Sequence, residues 1–125
     1  MNESLIKRMK AEHYKLVSID LFSGPGGLCT GFKWAGILPL IAVEWTDTTV
    51  ETYSVSHNAE VLHLSEYSND EGVHEDYLKQ FMTESTRTLL IHGDINLVNS
   101  DIVRELLVAR YGIDSKTETV DIVSG

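Results

Sequence analysis

Cysteine is almost missing from this chain of 125 residues: Cys29 stands alone. No internal disulfide can form, and a reducing compartment, the cytoplasm, is the simpler setting. No run of roughly 18 apolar residues occurs, so no membrane-spanning helix and no membrane partner is expected. The opening MNESLIKRMKAEHY lacks the apolar core of a secretory signal. Basic charge is also scarce, with ten Lys and Arg against nineteen Asp and Glu and a net charge of −9. Residues 1–50 balance five basic side chains against five acidic ones, whereas residues 51–125 hold five against fourteen. A nucleic-acid surface leaves a basic footprint, and these residues do not supply one. His13, His57, His63, His74 and His92 show no ligand spacing with one another or with Cys29, so no metal site is expected. There is no internal repeat and no low-complexity segment.

What is present is one domain's worth of patterned sequence or less. Ser18 to Phe32 reads SIDLFSGPGGLCTGF. An apolar run from Leu16 to Phe22 breaks into Gly24, Pro25, Gly26 and Gly27. An amphipathic segment follows, with Leu28, Phe32 and Ala35 at helical spacing. Strand, glycine turn and helix make the opening unit of a doubly wound α/β fold. Glycines let a ligand approach the backbone, and the helix start offers free N–H groups to a carboxylate or phosphate.

The rest of the chain repeats the alternation. Residues 3–14 read as a short packing helix on Leu5, Ile6, Met9 and Tyr14. Strands are expected at Leu16–Leu21, Leu38–Val43, Thr88–Ile91 and Thr119–Val123, all parallel. Helices are expected over Gly27–Ala35, with Gly36 as its cap, and after Thr46 or Asp47, with Val50, Tyr53, Ser54 and His57 on one face. Further helices are expected over His74–Thr83 and over Asp101–Arg110, the latter capped by Ser100 and ended by Gly112. Between Glu60 and Asp76 lie six acidic residues and no Lys or Arg. Residues 59–87 therefore read as a solvated acidic loop leading into a crossover helix.

Suggestive side chains gather where the strands end, which is where open α/β sheets bind ligands. Phe22 follows the first strand, Glu44 and Trp45 the second, Asp94 and Ile95 the third. An acidic residue about 20 positions after a glycine turn suits a ribose diol, because one carboxylate accepts from both hydroxyls. Phe22 and Trp45 can sandwich an adenine ring. Asp94 can accept from an exocyclic amino group, and the Ile95 N–H can donate to a ring nitrogen. Each has a plainer reading: Glu44 as a solvated strand-end carboxylate, the aromatics as core, Asp94 as the turn residue after Gly93.

DLFSGPGGL with a following GF, VEW at 43–45, GDI at 93–95 and VDIVSG at 120–125 occur in the order of the DNA cytosine-5 methyltransferase family, which the chain resembles. The resemblance implies a Rossmann-like fold dependent on S-adenosylmethionine, represented by its first four parallel strands with crossover helices. It covers the N-terminal, cofactor-binding part of the catalytic domain, residues 1–125 with an acidic insertion at about 59–87. Gly24, Gly26, Gly27 and Leu28 would line the methionine moiety. Phe22 and Trp45 would pack on adenine, Glu44 would hold the ribose, and Asp94 and Ile95 would read the adenine edge. Pro25 departs from the family pattern and removes one N–H donor from the loop. The family attacks cytosine carbon 6 with the thiolate of a Pro-Cys pair, on a base flipped from the duplex. That cysteine is expected just beyond Gly125, so no catalytic residue is assigned here.

Cys29 is not promoted in its place, since it lies in the helix after the glycine turn and points toward helix packing. Double-stranded DNA would be contacted through the family's C-terminal part or through a second, complementing chain. The open edge after the fourth strand predicts self-association. Two other functions compete: an S-adenosylmethionine-binding or interaction module without catalysis, and one subunit of a split methyltransferase. A nicotinamide or flavin domain fits worse, because Cys29 stands where the last glycine of Gly-x-Gly-x-x-Gly belongs.

Overall fold

The computed structural model describes residues 1–21 and 27–124, excepting the side chains of residues 27 and 28. Helix α1 (Glu3–Ala11) starts at Asn2, whose side chain accepts from the Leu5 N–H. It buries Leu5 and Met9, four positions apart on one face. Strand β1 (Leu16–Asp20) and helix α2 (Gly27–Trp34) follow, with Gly36 at φ +84° closing the connection. Strand β2 (Ile37–Glu44) is buried over seven of its eight residues, as a central parallel strand requires. Helix α3 (Asp47–His57) buries Val50, Tyr53 and His57 at i, i+3 and i+7, the expected stripe; Ser54 is half-buried.

The acidic segment contains more than a loop. It supplies strand β3 (Glu60–His63), helix α4 (Leu64–Tyr67) and a two-stranded antiparallel ribbon of β4 (Ser68–Asn69) and β5 (Gly72–Val73). Helix α5 (Glu75–Lys79) is shorter than expected, with Leu78 and Phe81 buried on the core and Tyr77 and Met82 half-buried against it. Strand β6 (Leu89–His92) ends in a 3-10 turn over Ile95–Leu97. Helix α6 (Ser100–Leu106) is capped by Asn99, not Ser100, and continues as a wider π-type turn to Tyr111. Strand β7 (Ile122–Ser124) begins three residues later than expected.

The five-stranded sheet has the order β3-β6-β2-β1-β7, and every pairing in it is parallel. This is a Rossmann-like α/β sheet: β2 is central, and the chain reverses direction of travel between β1 and β7. The fifth strand, β3, was hidden from sequence reading because EVLH is short and sits in an acidic run. Register against β6 places Leu62 in the core and leaves His63 exposed.

Helices cover both faces. Cys29, Val50, Tyr53 and Ala59 pack on Ala42 and Leu90 on one side. On the other, Leu5, Met9, Phe81, Leu106 and Tyr111 join a larger cluster with Val43, Leu89 and Ile91. Pro39 falls inside β2, where its missing N–H would break a ladder. The register against β1 shifts at this point: Ser18 pairs with Pro39 and Ile19 with Ile41, leaving Leu40 as the extra residue. Thr88 Oγ1 donates to the Pro39 carbonyl at 2.6 Å, and the Tyr111 hydroxyl lies 2.8 Å from the Leu40 carbonyl. Gly112 adopts φ +66° and lies against Asn2, whose backbone nitrogen would be 2.7 Å from an added Cβ. Any side chain there would push α1 off the sheet.

Candidate functional site

Two strands deliver the site. Glu44 is the last residue of β2 and His92 the last of β6, and they are register partners. Asp94 and Ile95 therefore emerge beside Trp45. The Gly93 N–H donates to the Glu44 carbonyl at 2.9 Å, joining the two strand ends. Gly93 also has no room for a side chain, since a Cβ would lie 2.7 Å from Leu64 Cβ. Leu21, Val43, Glu44, Trp45, Asp94 and Ile95 line one cleft of about 400 Å³ beyond the carboxyl ends of β1, β2 and β6.

Of the nine residues expected at a cofactor site, four are brought together here: Glu44, Trp45, Asp94 and Ile95. Phe22, Gly24 and Gly26 lie outside the described residues, as does the Leu28 side chain. Gly27 opens α2, three positions from the glycine turn's start.

The polar groups of the cleft are partly committed. Glu44 Oε1 accepts from the Trp45 N–H at 2.8 Å and the Thr46 N–H at 3.5 Å, so its carboxylate also tethers the entry to α3. Asp94 Oδ1 accepts from the Asn96 N–H at 2.9 Å and caps the 3-10 turn. The plainer reading of Asp94 as a turn residue is thus correct for one of its oxygens. Trp45 is 62% exposed, so its ring is not core. Among the described residues the Ile95 N–H has no acceptor. An uncovered indole, an N–H with no acceptor among the described residues and two carboxylates form a donor and acceptor set suited to a flat heterocycle on a sugar.

Behind the cleft, β1 ends in Asp20, which is fully buried. The Cys29 thiol donates to Asp20 Oδ2 at 3.4 Å, and the Tyr53 hydroxyl donates to Cys29 Sγ at 3.1 Å. This chain of hydrogen bonds ties β1, α2 and α3 together. Burial pushes the Cys29 thiol from 9.0 up to about 12; the Tyr53 hydrogen bond opposes the rise and the Asp20 charge adds to it. A nucleophilic cysteine needs the reverse shift, so Cys29 is a structural thiol.

One arrangement was illegible in the sequence. His63 and His92, 29 residues apart, are register partners on β3 and β6, and their Nδ1 atoms lie 3.0 Å apart. His92 Nε2 lies 3.0 Å from Asp47 Oδ1 at the start of α3. The only sequence signal was that both histidines follow an apolar strand. Among the described residues no group of three or more His, Cys, Asp or Glu is arranged to hold a metal ion, and no helix is long and apolar enough to cross a membrane.

The sheet order, the helices on both faces and the cleft at the strand ends define a doubly wound, Rossmann-like α/β protein. The family model for C-5 cytosine-specific DNA methylase matches residues 16–83, more than half of the chain. The chain belongs to that family. The matched segment includes Glu44 and Trp45; Asp94 and Ile95 lie beyond it. No curated protein and no solved structure matches the chain significantly.

Proposed function

We propose that residues 1–125 form the S-adenosylmethionine-binding part of a DNA cytosine-5 methyltransferase. The observation that carries this reading is the meeting of Glu44, Trp45, Asp94 and Ile95, from two separate strand ends, around one cleft of nucleoside size. Glu44 accepts from the two ribose hydroxyls. Trp45 covers one face of the adenine and Phe22 the other. Asp94 accepts from the exocyclic amine, and the Ile95 N–H donates to a ring nitrogen. Gly24, Gly26, Gly27 and Leu28 hold the methionine end against the start of α2, where backbone N–H groups meet its carboxylate.

When bound, the cofactor supplies an electrophilic methyl group. The nucleophile that activates cytosine in this family is the thiolate of a Pro-Cys pair. The one cysteine of these residues is Cys29, preceded by Leu28 and buried. These residues by themselves therefore bind the cofactor without methylating DNA. Double-stranded DNA is held by basic residues from another part of the enzyme or from a complementing chain, because residues 51–125 carry the whole excess of negative charge. Such a chain would seat on the β7 edge, where Val123 is 62% exposed. In its absence that edge pairs with a second copy.

Isothermal titration with S-adenosylmethionine tests the reading, with Phe22→Ala and Glu44→Ala as controls. Saturable binding weakened by both substitutions is the expected result. A folded chain with no binding would overturn it. Methyl transfer to DNA should return on mixing with a polypeptide that carries the Pro-Cys motif, and sedimentation should show self-association without it.

A further inference from the structure

A second chamber adjoins the adenosine cleft. It holds about 510 Å³ and shares Trp45, Gly93 and Asp94 with the first cleft as a common rim. Its far wall comes from the acidic segment, through Leu64, Ser65, Tyr67 and Ser68, and its side from Leu97. Gly93 contributes only backbone to the rim, because Leu64 occupies the space a side chain would need. Trp45 and Asp94 are therefore the two side-chain-bearing residues that the spaces have in common. One Asp94 oxygen is held by the Asn96 N–H, which fixes the carboxylate at the boundary. Beyond the rim the chamber is lined mainly by apolar side chains and hydroxyls, with His92 and Asn99 as further polar members, and Leu97 is 69% exposed.

We infer that this chain accepts adenosine cofactors substituted on the exocyclic nitrogen, with the substituent housed in the second chamber. The inference rests on the cofactor reading above. An exocyclic amine bound to Asp94 sits at the boundary between the spaces. A secondary amine keeps one N–H for the carboxylate and directs its other substituent past the rim. Space is ample: an apolar cavity of about 150 Å³ holds a benzene ring. The aromatic and aliphatic wall suits an alkyl or benzyl group, and Ser65 and Ser68 suit one ending in a hydroxyl.

The test compares S-adenosylmethionine with its N6-benzyl derivative by calorimetry on the full chain. The derivative should bind within about threefold of the parent, whereas a closed adenine pocket would reject it by about tenfold to hundredfold. Ser65→Trp and Ser68→Trp fill the chamber from its far wall, away from the adenosine cleft. Each should weaken the derivative by about tenfold or more and leave the parent unchanged; circular dichroism checks that both fold. Parent binding with rejection of the derivative overturns this inference alone. Undiminished binding of the derivative by both filled variants also overturns it, since the substituent then lies elsewhere. Failure of the parent to bind overturns the cofactor reading and this inference together.

Discussion

The two ends of the sheet carry polar groups of opposite character. At the amino end, Arg110 is 1% exposed and surrounded. Its guanidinium meets Glu60 Oε1 at 2.5 Å, the Phe81 and Arg87 carbonyls at 3.3 Å each, and the Tyr111 hydroxyl at 3.3 Å. Tyr111 in turn lies 2.6 Å from the Arg87 carbonyl. At the carboxyl end, Trp45 is mostly exposed, and the Ile95 N–H has no acceptor among the described residues. A buried charge is tolerable only when its donors are matched. A binding site must do the reverse and hold some capacity open toward solvent. The first centre clamps β3 to the end of α6, and the second is the site proposed for the cofactor.

The sharpest way to break this contrast is at Arg110. Arg110→Ala removes the nearer cationic partner of Glu60 and a donor from each of the Phe81 and Arg87 carbonyls, so urea unfolding should show a loss of about 3–5 kcal/mol. A loss below about 1 kcal/mol would mean the amino-end cluster is not a stability centre. Tyr111→Phe, which keeps the packing and removes one hydroxyl, should cost about 1–3 kcal/mol by the same measurement.

At the other end the effect should move from stability to affinity. Glu44→Ala should lower S-adenosylmethionine affinity about tenfold to hundredfold, the value of hydrogen bonds to a charged group. Its unfolding free energy should drop by only about 1 kcal/mol, from the lost tether to the Trp45 and Thr46 N–H groups. Equal losses in both measurements would erase the distinction between the two ends.

Alkaline titration sharpens the contrast from the middle of the molecule. Cys29 has a folded value raised above its unfolded one, so its neutral form stabilises the fold. That contribution is complete below about pH 9 and is lost as pH rises toward about 12. Tyr53 and Tyr111, both raised chiefly by burial, extend the decline in the same direction. Denaturation midpoints should therefore fall above pH 9, and less so in Cys29→Ala. The thiol should also resist alkylation at pH 8 in the folded chain and react on unfolding.

The smallest effect belongs to Trp45. With its ring largely in solvent, Trp45→Ala should change stability by no more than about 0.5 kcal/mol while weakening cofactor binding measurably. A large stability loss would show that the indole is core after all.

Much of this was legible from local pattern. The apolar runs around Ile19, Ile41 and Leu90 are strands, the stripe of Val50, Tyr53 and His57 is a helix face, and the parallel arrangement follows from their alternation. That Glu44, Trp45, Asp94 and Ile95 converge on one cleft was legible because strand-end positions in such folds come together. Local pattern failed where long-range partners decide. EVLH forms a strand because β6 offers it an edge, not because four residues in an acidic run insist on it. The α5 helix ends early because Phe81 and Met82 turn into the core. His63 and His92 meet only through register.

The sequence by itself determined the α/β class, the parallel sheet and the family, since periodicity and the glycine turn are properties of neighbouring residues. Only the tertiary structure decided which polar residues are saturated and which are left facing solvent. Arg110, near the end of a helix that periodicity describes as ordinary, becomes an almost fully enclosed charge, while Trp45 is left uncovered. Burial and hydrogen-bond saturation depend on what the rest of the chain brings alongside, and no window of sequence contains that information.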